Sequence, residues 1–182
     1  MTRLPAAYET YAVATALALA VIAAITDWRE ARIRNWLTFP PLLVAPAVHG
    51  ILLGKTGVVA SLLGVALCGL PMFWLWQKRA IGGGDVKLLA VVGAVAGVRA
   101  GLEIEFMAFV VAALYALGRV AWDGALARTL GNTLVIATNP FRPAERRRRV
   151  EPTRMSTVRL GGGVLAACGL CLLVRTPFAP LL

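Results

Sequence analysis

The stretch YETYAVATALALAVIAAITDWREARIRN, residues 8–35, sets the character of the chain. Residues 8–26 are almost unbrokenly apolar, and at 1.5 Å per residue a helix of that length comes close to crossing about 30 Å of hydrocarbon. A charged connection, Asp27–Asn35, follows, and a second apolar window opens at residue 37. Arg3 ahead of the first run and the small residues Ala23 and Ala24 give it some likeness to a secretory signal. The run is long enough to span, and a charged loop and another apolar window follow at once. It is therefore read as a retained helix.

Further apolar windows lie at about 57–76, 102–122 and 157–175, with the second at 37–54 and a shorter one at 85–98. Turn formers or charges separate them: Gly54-Lys55-Thr56, Gln77–Gly84, Arg99-Ala100-Gly101 and the long segment 123–156. The composition agrees. With 59% hydrophobic residues against 15% charged in 182 residues, and a mean hydropathy of +0.75, the chain is too apolar for a soluble domain of this size. The reading predicts an all-α, polytopic membrane protein: one transmembrane domain over residues 1–182 with about six transmembrane helices.

Charge sets the orientation. If alternate connections face opposite sides, fifteen of the nineteen basic residues fall on one side. These are Arg29, Arg32 and Arg34, then Lys78, Arg79 and Lys87, then nine arginines between Arg119 and Arg159. Only Arg3, Lys55, Arg99 and Arg175 remain for the other side. The rich side is the cytoplasmic one, and both termini are expected outside. Trp28, Trp36, Trp74, Trp76 and Trp122 all fall at the predicted inner helix ends, where indole favours the headgroup region. The net charge of +10 is thus a matter of topology, not nucleic-acid binding. The run Arg146–Arg149 reads as a solvated cytoplasmic loop touching anionic membrane lipid.

Most polar residues suggest no chemistry. His49 is the single histidine, so a histidine-based metal site is not expected. Cys168 and Cys171 have CxxC spacing but lie mid-window without a second pair, and with Cys68 they read as packing residues. Glu103 and Glu105 are expected in a short, solvated outer turn. Two aspartates stand apart. Asp27 ends the first helix at its inner edge, and Asp85 opens a segment of only fourteen residues to Val98, about 21 Å, directly after Gly82-Gly83-Gly84. Either that helix is short or the glycine loop dips inward, which requires glycine and a surrounding of protein or water. On the second reading, Gly84→Val should impair activity more than the same change at Gly57 or Gly93. Lys87 should point to another helix face and snorkel to the headgroups.

Acids at a membrane boundary are functional candidates by default. Two carboxylates brought together there can share one proton and hydrolyse a peptide bond, the charged one activating water and the protonated one polarising the carbonyl. No metal or cofactor is needed.

The string Gly82-Gly83-Gly84-Asp85-Val86-Lys87-Leu88 resembles the GxGDxK(L) signature of the type IV prepilin peptidases. Asp27 with Asn35 eight residues on, in the context Arg32-Ile33-Arg34-Asn35-Trp36-Leu37, resembles that family's first motif, with Arg34 where the family usually has proline. The resemblance covers about residues 10–120. It implies an intramembrane aspartyl endopeptidase of the bacterial inner membrane, serving pilus biogenesis or type II secretion. Such enzymes remove the basic leader of prepilin and pseudopilin precursors after a glycine, at the cytoplasmic face. It further implies Asp27 and Asp85 as the catalytic pair, and Gly82, Gly84, Lys87 and Asn35 as substrate-binding or loop-shaping residues. Longer members carry a cytoplasmic insert with paired cysteines and also methylate the new N-terminus. The connection Asp27–Asn35 is too short for that insert, so the chain resembles the short form of tight-adherence (Flp-type) pilus systems. Two other functions fit the aspartates: a proton- or cation-coupled transporter subunit, which would place them near the midplane, or a non-catalytic secretion assembly protein, which would tolerate their loss.

Overall fold

The computed structural model describes residues 6–30, 33–79, 81–122 and 160–175. Arg32 and the basic segment 123–156 with its Arg146–Arg149 run lie outside the described residues. Four helices are formed: α1 (Ala6–Glu30), α2 (Asn35–Gln77), α3 (Gly83–Trp122) and α4 (Leu160–Arg175). Stretches of α1, α2 and α3 are long and apolar enough to cross a membrane, and α4 is a shorter apolar helix. Many large apolar side chains, such as Leu43, Ile51, Leu70 and Leu114, lie exposed on their surfaces. Water would not tolerate that pattern, but lipid does. The chain is a helical membrane protein.

With 43 and 40 residues, α2 and α3 would each run about 60 Å if straight, twice the hydrocarbon thickness. Neither is straight. Gly54 has φ 66° and ψ −153°, and Gly97 has φ 76° and ψ −178°, a region essentially closed to other residues. Residues eight apart in a straight helix are separated by about 12 Å along its axis. Yet a Cβ on Gly57 would lie 2.2 Å from the His49 carbonyl oxygen, and one on Gly101 would lie 2.9 Å from Gly93 Cα. Each helix therefore folds back on itself at its glycine. The expected loops at 54–56 and 99–101 are single-residue reversals, because one left-handed glycine suffices to turn the chain.

The second limb of α2 packs antiparallel on the first limb of α3. Ser61 Oγ donates to the Ala94 carbonyl oxygen at 2.7 Å, Gly64 sits against Gly93, and Gly69 sits against Ala90. A Cβ on Gly64 would come within 2.0 Å of the Gly93 oxygen, so the two backbones touch. Small residues allow this approach, which supplies the dispersion contacts that hold helices together where no hydrophobic effect acts. The first limb of α3 is enclosed almost all round: Leu88, Leu89, Val91, Val92, Ala94, Val95 and Ala96 are all buried. Its short length is no obstacle, since it meets protein and not lipid.

α1 and α4 also pair antiparallel. Ala12, Val13, Ala16, Ala20 and Ala23 form a small-residue seam on α1, and Val164, Ala167, Cys168 and Cys171 form one on α4. All three cysteines are buried free thiols. At one end Arg175 of α4 pairs with Glu9 of α1, 3.9 Å away, and with Glu103 of α3. Glu103 also pairs with Arg99 at 3.0 Å, and Glu105 is buried against α2. The expectation of two solvated turn acids is corrected in part: the reversal comes at Gly97, so both residues lie in the second limb and Glu105 is buried, while the Glu103 side chain stays 42% exposed. The chain divides into two compact units, residues 1–111 with 159–182, and residues 112–158. In the second, only the α3 residues 112–122 are described. All the residues discussed next belong to the first.

Candidate active site

Asp27 lies one helical repeat beyond Ala20 and Ala23 on the buried seam of α1, so the packing that buries the alanines also turns the carboxyl inward. There it meets the start of α4. A Cβ on Gly161 would lie 3.3 Å from Asp27 Oδ2, and Gly161 is buried. Asp85 stands in the first turn of α3, where the Val86 N–H donates to the Gly82 carbonyl oxygen at 3.4 Å. Both aspartates are half-buried. They lie within electrostatic reach of each other, although 58 positions separate them in sequence.

The three glycines before Asp85 serve three contacts. A Cβ on Gly82 would lie 3.1 Å from Asp85 Oδ2, one on Gly83 would lie 3.2 Å from Trp76 Nε1, and one on Gly84 would lie 3.2 Å from Ile33 Cβ. None of them has positive φ. Gly83 and Gly84 already belong to α3, so of the two readings left open by the sequence, the short helix is the observed one. Glycine is needed here for close approach and not for backbone conformation.

Lys87 is exposed but has a partner within the protein. Its Nζ donates to Asn35 Oδ1 at 2.7 Å and lies 5.8 Å from the centre of the Phe39 ring. The two sequence motifs are thus joined by a direct hydrogen bond across 52 positions, in addition to the Ile33–Gly84 contact. Asn35 is within reach because it opens α2 while Lys87 stands near the start of α3. Gly161 and Ile33 are site neighbours that residue-type reasoning passed over. The one signal for Gly161 is a second triple-glycine run, Gly161-Gly162-Gly163, opening another apolar helix. Among the described residues no group of three metal-ligating side chains comes together.

A sequence model of the type IV leader peptidase family matches residues 14–117, which contain both aspartates and the Lys87–Asn35 pair. The chain belongs to that family. It is accordingly a peptidase, and the matched span runs from α1 through the hairpin of α2 into the second limb of α3. No curated protein and no solved structure matches the chain.

If the Lys87–Asn35 bond holds the two motifs in register, Lys87→Met and Asn35→Ala should each lower peptidase activity about tenfold, and the double variant should be no worse than either single one. Additive losses would show that the two side chains act separately. The measurement is the initial rate of precursor cleavage in membranes containing equal amounts of each variant.

Proposed function

We propose that this leader peptidase is one transmembrane domain of six spans with both termini outside, in which Asp27 and Asp85 are the catalytic pair. One observation carries the reading: two half-buried carboxyls, from α1 and α3, stand within electrostatic reach beside a hydrogen bond that links their two motifs. Water held between them loses a proton to the ionised carboxylate and attacks the scissile carbonyl carbon. The protonated partner donates to the carbonyl oxygen, and the C–N bond breaks as a proton passes to the departing amine. Gly82 and Gly161 let the backbone come close to the Asp85 and Asp27 carboxyls, which a larger side chain there would crowd.

The substrate is a prepilin or pseudopilin precursor, a membrane helix with a short basic leader on the cytoplasmic side. Its scissile bond follows a glycine, which lowers the cost of local unwinding. The basic residues Arg29, Arg34, Lys78, Arg79 and Lys87 gather at the inner ends of their helices, as the cytoplasmic face of the bacterial inner membrane requires. Cysteines introduced at positions 30, 80 and 147 should then label from the cytoplasm and one at position 55 from outside, in a background lacking native cysteines. The reverse pattern would place the aspartates on the wrong side for a cytoplasmic leader.

The reaction needs neither metal nor methyl donor. Purified protein incubated with precursor, chelator and S-adenosylmethionine should release a product lighter by the leader alone. A further gain of one methyl mass, or loss of cleavage in chelator, would overturn this part of the proposal.

A further inference from the structure

The seam between α1 and α4 is built of small side chains and by itself says little about register. On α1 the buried Ala12, Ala16 and Ala20 recur every fourth residue, and on α4 the buried Val164, Cys168 and Cys171 keep nearly the same step. Sliding one helix past the other by a turn, about 5.4 Å, would set small residues against small residues again. The two ends of the pair differ. At one end Gly161 meets α1: a Cβ there would lie 3.7 Å from Ala24 Cα and 3.3 Å from Asp27 Oδ2. At the other, Arg175 faces Glu9 at 3.9 Å and also pairs with Glu103 on the second limb of α3. Gly161 and Arg175 are about 21 Å apart by helical rise, and Ala24 and Glu9 about 22 Å. Both contacts therefore belong to the same register.

The charged end is the one that resists sliding. The side chains of Arg175 and Glu9 are only 15% and 18% exposed. A slip of one turn in one direction carries Arg175 to the level of the buried Val13, and a slip in the other carries it beyond the start of α1. Either one separates buried charges from their partners beside hydrocarbon, which is costly, whereas the right register satisfies them. We propose that Arg175 is a positioning residue: by holding Glu9 and Glu103 it fixes the register of α4 on α1 and so keeps Gly161 against Asp27, about 27 Å along α1 from Glu9. Its consequence for cleavage rests on the reading of Asp27 as catalytic; the register itself does not.

Cys168 is a fixed probe of that register once Cys68→Ala and Cys171→Ala have removed the other thiols. In the observed register it stands level with position 16, and a slip of one turn brings it level with 12 or 20. Ala12→Cys, Ala16→Cys and Ala20→Cys are introduced one at a time, and the full-length chain is oxidised in membranes. Position 16 should cross-link at least about tenfold faster than 12 or 20, which lie out of bridging range. Arg175→Met should bring one of those two to within about threefold of 16, and lower kcat for precursor cleavage about tenfold with KM little changed. Arg175→Glu combined with Glu9→Arg keeps the same charges at this end and should restore both the pattern and kcat. An unchanged cross-linking pattern in Arg175→Met would overturn the proposal, and so would a shifted pattern with undiminished cleavage. If Arg175→Met does not fold, the exchanged pair decides it, and failure of that pair to restore the pattern overturns the proposal. A pattern that shifts as expected while Asp27→Asn still cleaves would leave the register role standing and remove Asp27 from the chemistry.

Discussion

Asparagine at position 27 or position 85 should lower precursor cleavage by about a thousandfold or more, while the protein reaches the membrane in normal amounts. Asparagine matches aspartate in shape, so the contacts with Gly161 and Gly82 survive. It cannot take a proton from water, nor can it hold the proton that two adjacent carboxyls share, and general acid–base catalysis of this kind contributes about 10²–10⁴-fold. Because each aspartate is half-buried and at a helix end, neither substitution opens a cavity in the core. The double variant should be no slower than either single one, since the pair acts as a unit. Cleavage above a tenth of the wild-type rate in either single variant would remove that aspartate from the mechanism. A transporter or assembly role would instead leave a phenotype unrelated to cleavage.

Valine at position 93 should do more damage than any change at Gly82, Gly83 or Gly84, and the loss should be of folded protein. A Cβ there would stand 2.3 Å from the Gly64 carbonyl oxygen, and the facing Gly64 is equally intolerant at 2.0 Å from the Gly93 oxygen. Neither contact is with a flexible side chain that could swing aside. The α2 and α3 backbones must separate, which breaks the Ser61–Ala94 hydrogen bond and loosens the limb that carries Asp85. Overpacking of this kind costs about 3 kcal/mol or more. Gly162→Val, where nothing lies within 4 Å, is the matched control. Thermal unfolding followed by size-exclusion chromatography should show a large fall for Gly93→Val and little change for Gly162→Val. The sequence alone ranks Gly84 above Gly57 and Gly93 for activity, whereas for folding the contacts rank Gly93 and Gly57 above Gly84. At Gly84 the nearest atom is an Ile33 side chain 3.2 Å away that can give a little, whereas a Cβ on Gly57 would meet the His49 carbonyl at 2.2 Å.

The glycines show where residue-by-residue reading stops. Hydropathy is a property of composition along the chain, so the apolar windows, and hence the helical membrane class, could be read directly from residues 8–35 and the stretches that follow. Spacing is likewise written in the sequence, and the motifs around Asp27 and Asp85 were enough to point to the family that residues 14–117 match. Which glycine turns the chain, which touches a neighbouring backbone and which faces lipid depends on the partner across the interface, and no local property encodes that. Gly54 and Gly97 became hairpin reversals, Gly64 and Gly93 became the contact between limbs, and Gly118 and Gly162 face open space. The same reason accounts for Glu105, which is buried because the reversal at Gly97 turns it inward, and for Lys87, whose partner Asn35 lies 52 positions away. The sequence by itself determined the solvent of this protein, its class of secondary structure and the residues on which its chemistry can rest. Only the tertiary structure decided which of them meet, because a contact between α1, α3 and α4 is fixed by the shape of both faces at once.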